Sequence, residues 1–326
     1  MITAIQRLLK VREVPVFLAL VLVTVITGIA NPQFFSLSGL QDITLGVAVV
    51  ATLTVAQSFV IVMRHIDLSV GSTIGFSAFL IGYEGSHGVP LWLSIVFGLL
   101  LGLAVGALNG FLVAYLKLPS LVVTLSSLYL VRGIFNEVAG GTTVTGEQVS
   151  KAISFLGQNY FLGVPYLFVI AFALMLVGGY VMRFYRWARD LYAIGSNPQA
   201  SSLVGIPVAR RTFTAFLITG AISGLAGVSL LARFDTAAAN SGTGLELNVV
   251  AACVVGGVAI AGGIGTPYGA VIGAVLLQSI TLALGALGVP QFWQQAVNGV
   301  LLIAAISLDR YLSSRVKPTQ IMRVAE

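Results

Sequence analysis

Charge is scarce in this chain. Asp, Glu, Lys and Arg make up 9% of its 326 residues, against about 25% in ordinary soluble domains. A single soluble core could not hide so much apolar surface, which excludes an ordinary water-soluble globule. Cysteine is nearly absent. The lone Cys253 cannot form an internal disulfide, and its apolar surroundings read as packing. Only two histidines occur, His65 and His87, in separate loops and outside any HExxH or comparable metal-ligand spacing. None of the four lysines (Lys10, Lys117, Lys151, Lys317) follows a glycine, so no Walker A motif exists and the chain has no P-loop of its own for ATP. Residues Gly262–Gly269 read GGIGTPYG, which misses the GxGxxG spacing and follows an apolar run rather than a strand. No GxSxG nucleophile elbow is present. Buried charge, the usual mark of a proton relay, is almost missing from the apolar runs.

What is abundant is apolar length. Mean hydropathy is +1.00. Ten runs approach the roughly 20 apolar residues that a helical span needs: 14–30, 43–63, 68–83, 90–116, 119–139, 162–182, 213–232, 246–264, 268–287 and 291–309. Lipid offers no partner to open backbone groups, so these runs are expected to be helices. The expectation is an all-α, polytopic membrane bundle of about ten helices and a single domain over 1–326. Five spans on each side of the outer loop would suit two structural repeats. The first run lacks a small-residue cleavage pattern and reads as a retained span.

The net charge of +6 fits loops rather than nucleic acid. Fourteen of the seventeen basic residues fall on one side of a ten-span chain. They flank the N-terminal segment 1–13, follow even-numbered spans, fill the loop 183–212 and end in the tail 310–326. By the positive-inside rule both termini are cytoplasmic. Glycine is high at 37. Gly98, Gly102, Gly106 and Gly110 recur every four residues, a bare helix stripe that admits another backbone; Gly220/Gly224 and Gly269/Gly273 repeat the spacing.

Three stretches carry more specific information. In the loop 183–212, Arg183, Arg186 and Arg189 lie on one face of a helix, opposite Phe184, Trp187 and Leu191. After it, Asn197 is a good N-cap, Pro198 suits the first helical position, Gly205 suits the position after the last turn, and Pro207 prevents continuation. A helix this short is unstable alone and needs a surface. That surface is either a cytoplasmic partner or the chain's own bundle. The stretch Arg64–Ser72 reads RHIDLSVGS; Asp67 or Ser69 can cap a short third span there, as in a broken helix near a solute path or in a tight turn. In the outer loop 140–161, Thr145 and Gln148 have capping-box spacing before an apolar stripe (Val149, Ala152, Ile153, Leu156), read as a surface helix that steadies the bundle or meets an external partner. Polar span residues include Gln57, Ser58, Asn109, Thr124, Ser126, Ser127, Gln278, Gln294, Gln295 and Asn298. They bond between helices or line a neutral passage. Gln57, Asp67, Ser69, Asn109, Gln294 and Asn298 are the candidates for a substrate path.

These stretches resemble the permease subunits of bacterial binding-protein-dependent ABC importers for monosaccharides, the ribose/xylose/rhamnose type. Ile66–Ser72 (IDLSVGS) is similar to that family's signature. Leu118-Pro119-Ser120 with Thr124-Leu125 is similar to its fifth-span entry. Gly195-Ser196-Asn197, Ala200 and Gly205-Ile206 resemble its cytoplasmic loop, and Glu246-Leu247, Gly256-Gly257 and Gly262-Gly263 its eighth span. Val258–Ala261 stand where the family often has Thr or Ser. The resemblance implies a multi-pass inner-membrane permease, not an enzyme. Its partners would be a second permease chain (in a homo- or heterodimer), a periplasmic sugar-binding protein and a cytoplasmic ATP-binding subunit. ATP and Mg would reside on that subunit, with no cofactor, metal or nucleic acid on this chain. Gly195, Asn197, Pro198, Ala200, Gly205 and Ile206 would then be the ATPase contact. The competing readings are a self-sufficient secondary carrier and, with little support from the polar groups, a membrane-embedded enzyme.

Overall fold

A computed structural model describes residues 13–290 together with 293–294, 296–297, 299–300, 303–304 and 307. The described chain is mostly helical. The helices are α1 (Glu13–Ala30), α2 (Leu37–Ile61), α3 (Val70–Ser86), α4 (Leu91–Ala114), α5 (Ser120–Ala139), α6 (Lys151–Gln158), α7 (Tyr166–Phe184), α8 (Arg186–Ser196), α9 (Pro198–Leu203), α10 (Val208–Phe234), α11 (Leu245–Val255) and α12 (Pro267–Ala286). One small antiparallel hairpin joins β1 (Tyr160–Phe161) and β2 (Val164–Pro165), with Tyr160 opposite Pro165.

Six of these helices (α2, α4, α5, α7, α10 and α12) are long and apolar enough to cross a membrane by length and composition. Val16–Ile29 and Leu245–Val255 are shorter apolar segments, and α3 has 17 residues. The expected tenth run, 291–309, lies largely outside the described residues, as do the segment 1–12 and the tail 310–326.

Three expectations are corrected. The run 246–264 is not one helix: α11 stops at Val255, and Gly257, Gly262 and Gly263 take φ of +88°, +80° and +75° in the turn that follows. Positive φ is open to glycine and ends an α-helix that hydropathy alone would continue. Arg183, Arg186 and Arg189 do not share one helix, because Tyr185 is extended (φ −82°, ψ 132°) and separates α7 from α8. Ser69 occupies the N-cap of α3 but its side chain makes no capping bond; its N–H and hydroxyl both donate to Asp67 instead.

The centre of the bundle is α2, buried continuously from Gly46 through Ile61 apart from Val50. A helix apolar all round belongs in an interior. Val47, Ala51, Val55 and Phe59 recur every four residues and join one core cluster with Ala171, Met175 and Ala270. Val49 and Leu53 face a second cluster with Ile74, Phe79 and Phe135. The glycine stripe of α4 meets α10 backbone to backbone. A Cβ on Gly102 would collide with the Gly220 carbonyl oxygen, and one on Gly224 with the Gly98 carbonyl oxygen. Ser77 of α3 donates to the Gly224 oxygen at 2.6 Å, which ties a third helix to this seam. Gly273 of α12 likewise admits the Ala252 carbonyl of α11.

The outer helices keep apolar faces open: Leu121, Val122, Leu125, Leu130 and Ile134 on α5, and Phe172, Leu176, Val177 and Tyr180 on α7 are exposed. Such faces require lipid or a partner chain. The loop 140–165 docks on the end of α10. Thr145 and Gln148 form the expected capping box, Ser154 donates to Asp235 at 2.7 Å, and Val144 bridges Ala237. These bonds tie the loop to the end of α10.

Candidate functional site

The short capped helix forms as its sequence specifies. The Asn197 side chain accepts the Ala200 N–H at 3.0 Å, and Pro198 takes the first position. At the other end Gly205 has φ +83°. Its N–H donates to the Ser202 oxygen and the Ile206 N–H to the Ser201 oxygen, at 3.1 and 3.0 Å, the paired bonds of a Schellman stop. Ser201 is buried and Ile206 half-buried, which anchors the helix from beneath. The tip faces outward: Leu203 is 87% and Val204 77% exposed.

This tip stands on a rigid base. Along α8, Ala188, Leu191, Ile194 and Gly195 are buried, a stripe at helical spacing that lies on the end of α2. Trp187 stacks on Phe59 with centroids 6.1 Å apart. Asp190 and Arg211 form an ion pair at 2.7 Å that ties α8 to α10. Arg64, with φ +68°, sends its Nε and Nη2 to the carbonyl oxygens of Gly195 and Ser196. Gly263 N–H donates to the Val62 oxygen at 2.8 Å, and the Tyr192 hydroxyl donates to the Gly265 oxygen at 2.8 Å. A Cβ on Gly195 would collide with the Val62 carbonyl oxygen, so only glycine lets these three segments meet.

Behind Arg64 the connection 62–69 enters a polar cluster. The Asp67 carboxylate accepts the Ser69 N–H at 2.9 Å and the Ser69 hydroxyl at 2.6 Å. Asn109 Nδ2 donates to the Ser69 Oγ at 2.9 Å, and the Asn109 Oδ1 accepts the Ser127 hydroxyl. Thr124 Oγ1 donates to the Ile66 oxygen at 3.0 Å. In the amide orientation that satisfies both groups, Gln57 donates to the Asp67 carbonyl at 3.2 Å and accepts its N–H at 3.0 Å. Four of the six substrate-path candidates therefore converge, and all four are buried. Burial raises the Asp67 carboxyl to about 6, against the two Ser69 bonds that lower it. Burial lowers His65, beside Phe216, to about 4. Gln294 stands apart and donates to the Val289 oxygen at 2.8 Å; Asn298 lies outside the described residues. Among the described residues no group of three His, Cys, Asp or Glu could hold a metal ion.

Sequence reasoning missed the central connector. Arg64 was visible only as a basic loop residue, and its partners lie 131 and 132 positions away. Tyr192 was missed for the same reason, and Gly263 was seen only as part of a glycine pair, without its bond to Val62. A bond between loops far apart in sequence leaves no local pattern. Ser127 was visible as a polar span residue, without its partner.

A chain with an apolar bundle and a rigid, outward-facing helix invites comparison with known membrane proteins. Residues 39–306 match the family described as "Branched-chain amino acid transport system / permease component". The chain belongs to that permease family. It is therefore a multi-pass inner-membrane transport protein rather than a member of an enzyme class. It is 34% identical over 304 residues to an autoinducer 2 import system permease protein of Klebsiella pneumoniae, covering 93% of this chain and 88% of that one. It is 34% identical over 283 residues to an L-arabinose ABC transporter permease protein of Azospirillum brasilense, covering 86% and 82%. No solved structure matches the permease.

Proposed function

We propose that this permease is the membrane subunit of an ABC importer and moves a monosaccharide, or a small sugar-like signalling molecule, into the cell. Transport would proceed by alternating access, driven by ATP hydrolysis on a separate cytoplasmic subunit. The names of its relatives, an autoinducer 2 importer and an L-arabinose importer, support that solute class. One observation carries the mechanism. Two large apolar side chains, Leu203 and Val204, are held in the open on a helix capped at both ends. Exposed apolar groups on a rigid, well-anchored tip suit a partner's groove. That partner is the ATP-binding subunit in this reading, and the tip residues Asn197 to Ile206 are its contact.

Force at the tip would travel through α8 to Arg64 and from Arg64 into the Asp67–Ser69–Asn109–Ser127 cluster at the start of α3. In the closed cluster every donor named above is matched. When α3 moves, the same amide, carboxylate and hydroxyl groups become available to sugar hydroxyls. Gln57, Asp67, Ser69 and Asn109 are thus proposed as a joint in the solute path, with Gln294 and Asn298 as further candidates. Ten spans, cytoplasmic termini, a second permease chain beside the open face of α5 and a periplasmic binding protein complete the assembly.

The test is uptake in proteoliposomes that contain the permease, its co-purified ATPase and its binding protein. Uptake must require ATP hydrolysis. Replacing Gly205 and Ala200 with leucine should leave ATP hydrolysis running while uptake stops. Uptake driven by an ion gradient with the permease alone would overturn the proposal.

A further inference from the structure

The strongest unassigned feature is a cavity of about 600 Å³ where the end of α7, the first turns of α8 and the start of α12 meet. Its volume is in the range of small-molecule sites. Its lining combines two basic side chains with apolar and aromatic ones. Arg183, from the last turn of α7, and Arg189 of α8 both line it. Between them Tyr185 is extended, so the two arginines reach the cavity from separate helices.

Both guanidinium groups are available. Arg64, Arg132, Arg211 and Arg233 each donate to an acceptor. Among the described residues Arg183 and Arg189 have no hydrogen-bond acceptor and no ion-pair partner. Arg183 lies over the Phe184 ring at 5.4 Å, which leaves its N–H edge free. The nearby carboxylate, Asp190, is already taken by Arg211, and among the described residues no Asp or Glu lines the cavity. The α12 N-terminus opens on it through Thr266 and Pro267, adding the positive end of a 20-residue helix dipole. The site therefore selects an anion.

The apolar part of the lining suits an acyl chain. The Tyr268 ring lies where a Gly179 side chain would be, so an aromatic wall faces the cavity directly, and Met182 completes it. The cavity opens at the end of a helix whose Leu176, Val177, Tyr180 and Phe184 are exposed. Tyr180 and Tyr185 pack edge-on at 6.3 Å, an aromatic pair of the kind found at headgroup depth. A free soluble anion would use only the two guanidinium groups.

We propose that this cavity binds an anionic glycerophospholipid from the surrounding leaflet, with its phosphate between Arg183 and Arg189 and the start of an acyl chain against Met182 and Tyr268. Basic pockets beside membrane helices bind such headgroups by the same chemistry. A bound lipid would brace the α7–α8 bend against the turn that precedes α12, and so stiffen the base on which α9 stands. The inference depends on the chain's being a membrane protein and not on what it transports.

The test is native mass spectrometry of the full-length permease in mild detergent, titrated with phosphatidylglycerol, phosphatidylcholine or glycerol phosphate. Wild type should retain phosphatidylglycerol and release the other two. Arg183→Gln with Arg189→Gln should weaken retention roughly tenfold or more, the order expected when two charge contacts are lost. Arg183→Lys with Arg189→Lys should keep most of it, and Arg186→Gln with Arg210→Gln, outside the cavity, should keep all of it. If the glutamine pair fails to fold, the three-ligand titration of wild type still decides. Equal retention of phosphatidylcholine would overturn the site as one for anionic lipid. Retention of glycerol phosphate equal to that of phosphatidylglycerol would reduce it to a simple anion site. Unchanged retention in the glutamine pair would place the lipid elsewhere.

Discussion

Arg64 and Gly195 are 131 positions apart in sequence and joined by one guanidinium. Arg64 Nε donates to the Gly195 carbonyl, and Nη2 to that of Ser196 at 2.6 Å. Both acceptors sit at the end of α8, where the chain turns into the capped tip. The donor sits just past the end of α2, the most buried of the six span-length helices. In the proposed mechanism, movement of the tip would reach the interior through this fork. A charge-assisted hydrogen bond contributes about 1.5–3 kcal/mol, so Arg64→Ala should lower stability by about that order while leaving the fold intact. The functional loss should be larger, with ATP hydrolysed per solute imported rising severalfold. Arg64→Lys, which has no planar fork, should fall between. Denaturation in detergent together with the ATP-to-uptake ratio checks both effects.

Gly195 in the base and Gly205 in the tip should respond differently to the same substitution. Gly195→Ala places a methyl group against the Val62 carbonyl, so the backbone of either α8 or the 62–69 connection must shift. Gly205 has open space around it but φ +83°, so Gly205→Ala costs about 1–2 kcal/mol of local backbone strain. Gly205→Asn should recover part of that, since Asn tolerates the left-handed region. Gly195→Ala should reduce the yield of folded protein, whereas Gly205→Ala should fold and lose coupling. Size-exclusion profiles and uptake assays on the two variants separate these outcomes.

Asn109 bonds Ser69 on one side and Ser127 on the other. Asn109→Ala strands the Ser127 hydroxyl in the interior and removes a donor from Ser69 Oγ, whose own hydroxyl still bonds Asp67; a buried unsatisfied group costs about 1–3 kcal/mol. Removing both ends of the stranded bond (Asn109→Leu with Ser127→Ala), which leaves Ser69 bonded to Asp67, should restore much of the stability and still abolish transport, because the amide and hydroxyl offered to the solute are gone. Thermal unfolding of the single and double variants, read beside uptake, checks this.

His65 and Asp67 titrate in the same window with opposite signs. Burial raises Asp67 to about 6, so its protonated form favours the folded state; that contribution is complete below about 4 and is lost as pH rises through 6. Burial lowers His65 to about 4, so its neutral form favours the folded state; that contribution is complete above about 6.5 and is lost as pH falls through 4. In wild type the two slopes oppose each other. Asp67→Asn should make stability rise more steeply with pH between about 4 and 6.5 than wild type does, and His65→Gln should tilt it the other way. Midpoint denaturation at a series of pH values measures both.

Much of this was legible in the sequence because it is local. The caps of α9 are Asn197, Pro198 and Gly205, each within a few residues of what it caps. The glycine seam of α4 is a four-residue period, and its partner period in α10 was visible too. The outer capping box was readable from Thr145 and Gln148. Other features were not legible, for physical reasons. Hydropathy is blind to a positive-φ turn between apolar residues, so the end of α11 at Val255 was hidden inside a longer run. The break at Tyr185 has neither Pro nor Gly to announce it. Ser69 looked like a cap, but its hydroxyl and N–H were claimed by Asp67, two residues earlier. The convergence of Gln57, Asp67, Ser69, Asn109 and Ser127 depends on how three helices and a loop cross, which no single stretch encodes.

The central claim is that the tip formed by α9 docks on an ATP-binding subunit. The chain's one cysteine, Cys253, is fully buried, so a cysteine introduced at Leu203 is the only accessible thiol among the described residues. Leu203→Cys, derivatised with a short photo-crosslinker in membranes of the native host, should yield one dominant adduct with an ATP-binding subunit, and the yield should change with the nucleotide that subunit holds. The same label at exposed Leu121 on α5 should not give that adduct. Absence of an ATPase adduct at Leu203, with full labelling of the thiol and ATP-dependent uptake intact, would contradict the account and return the α9 helix to a packing role.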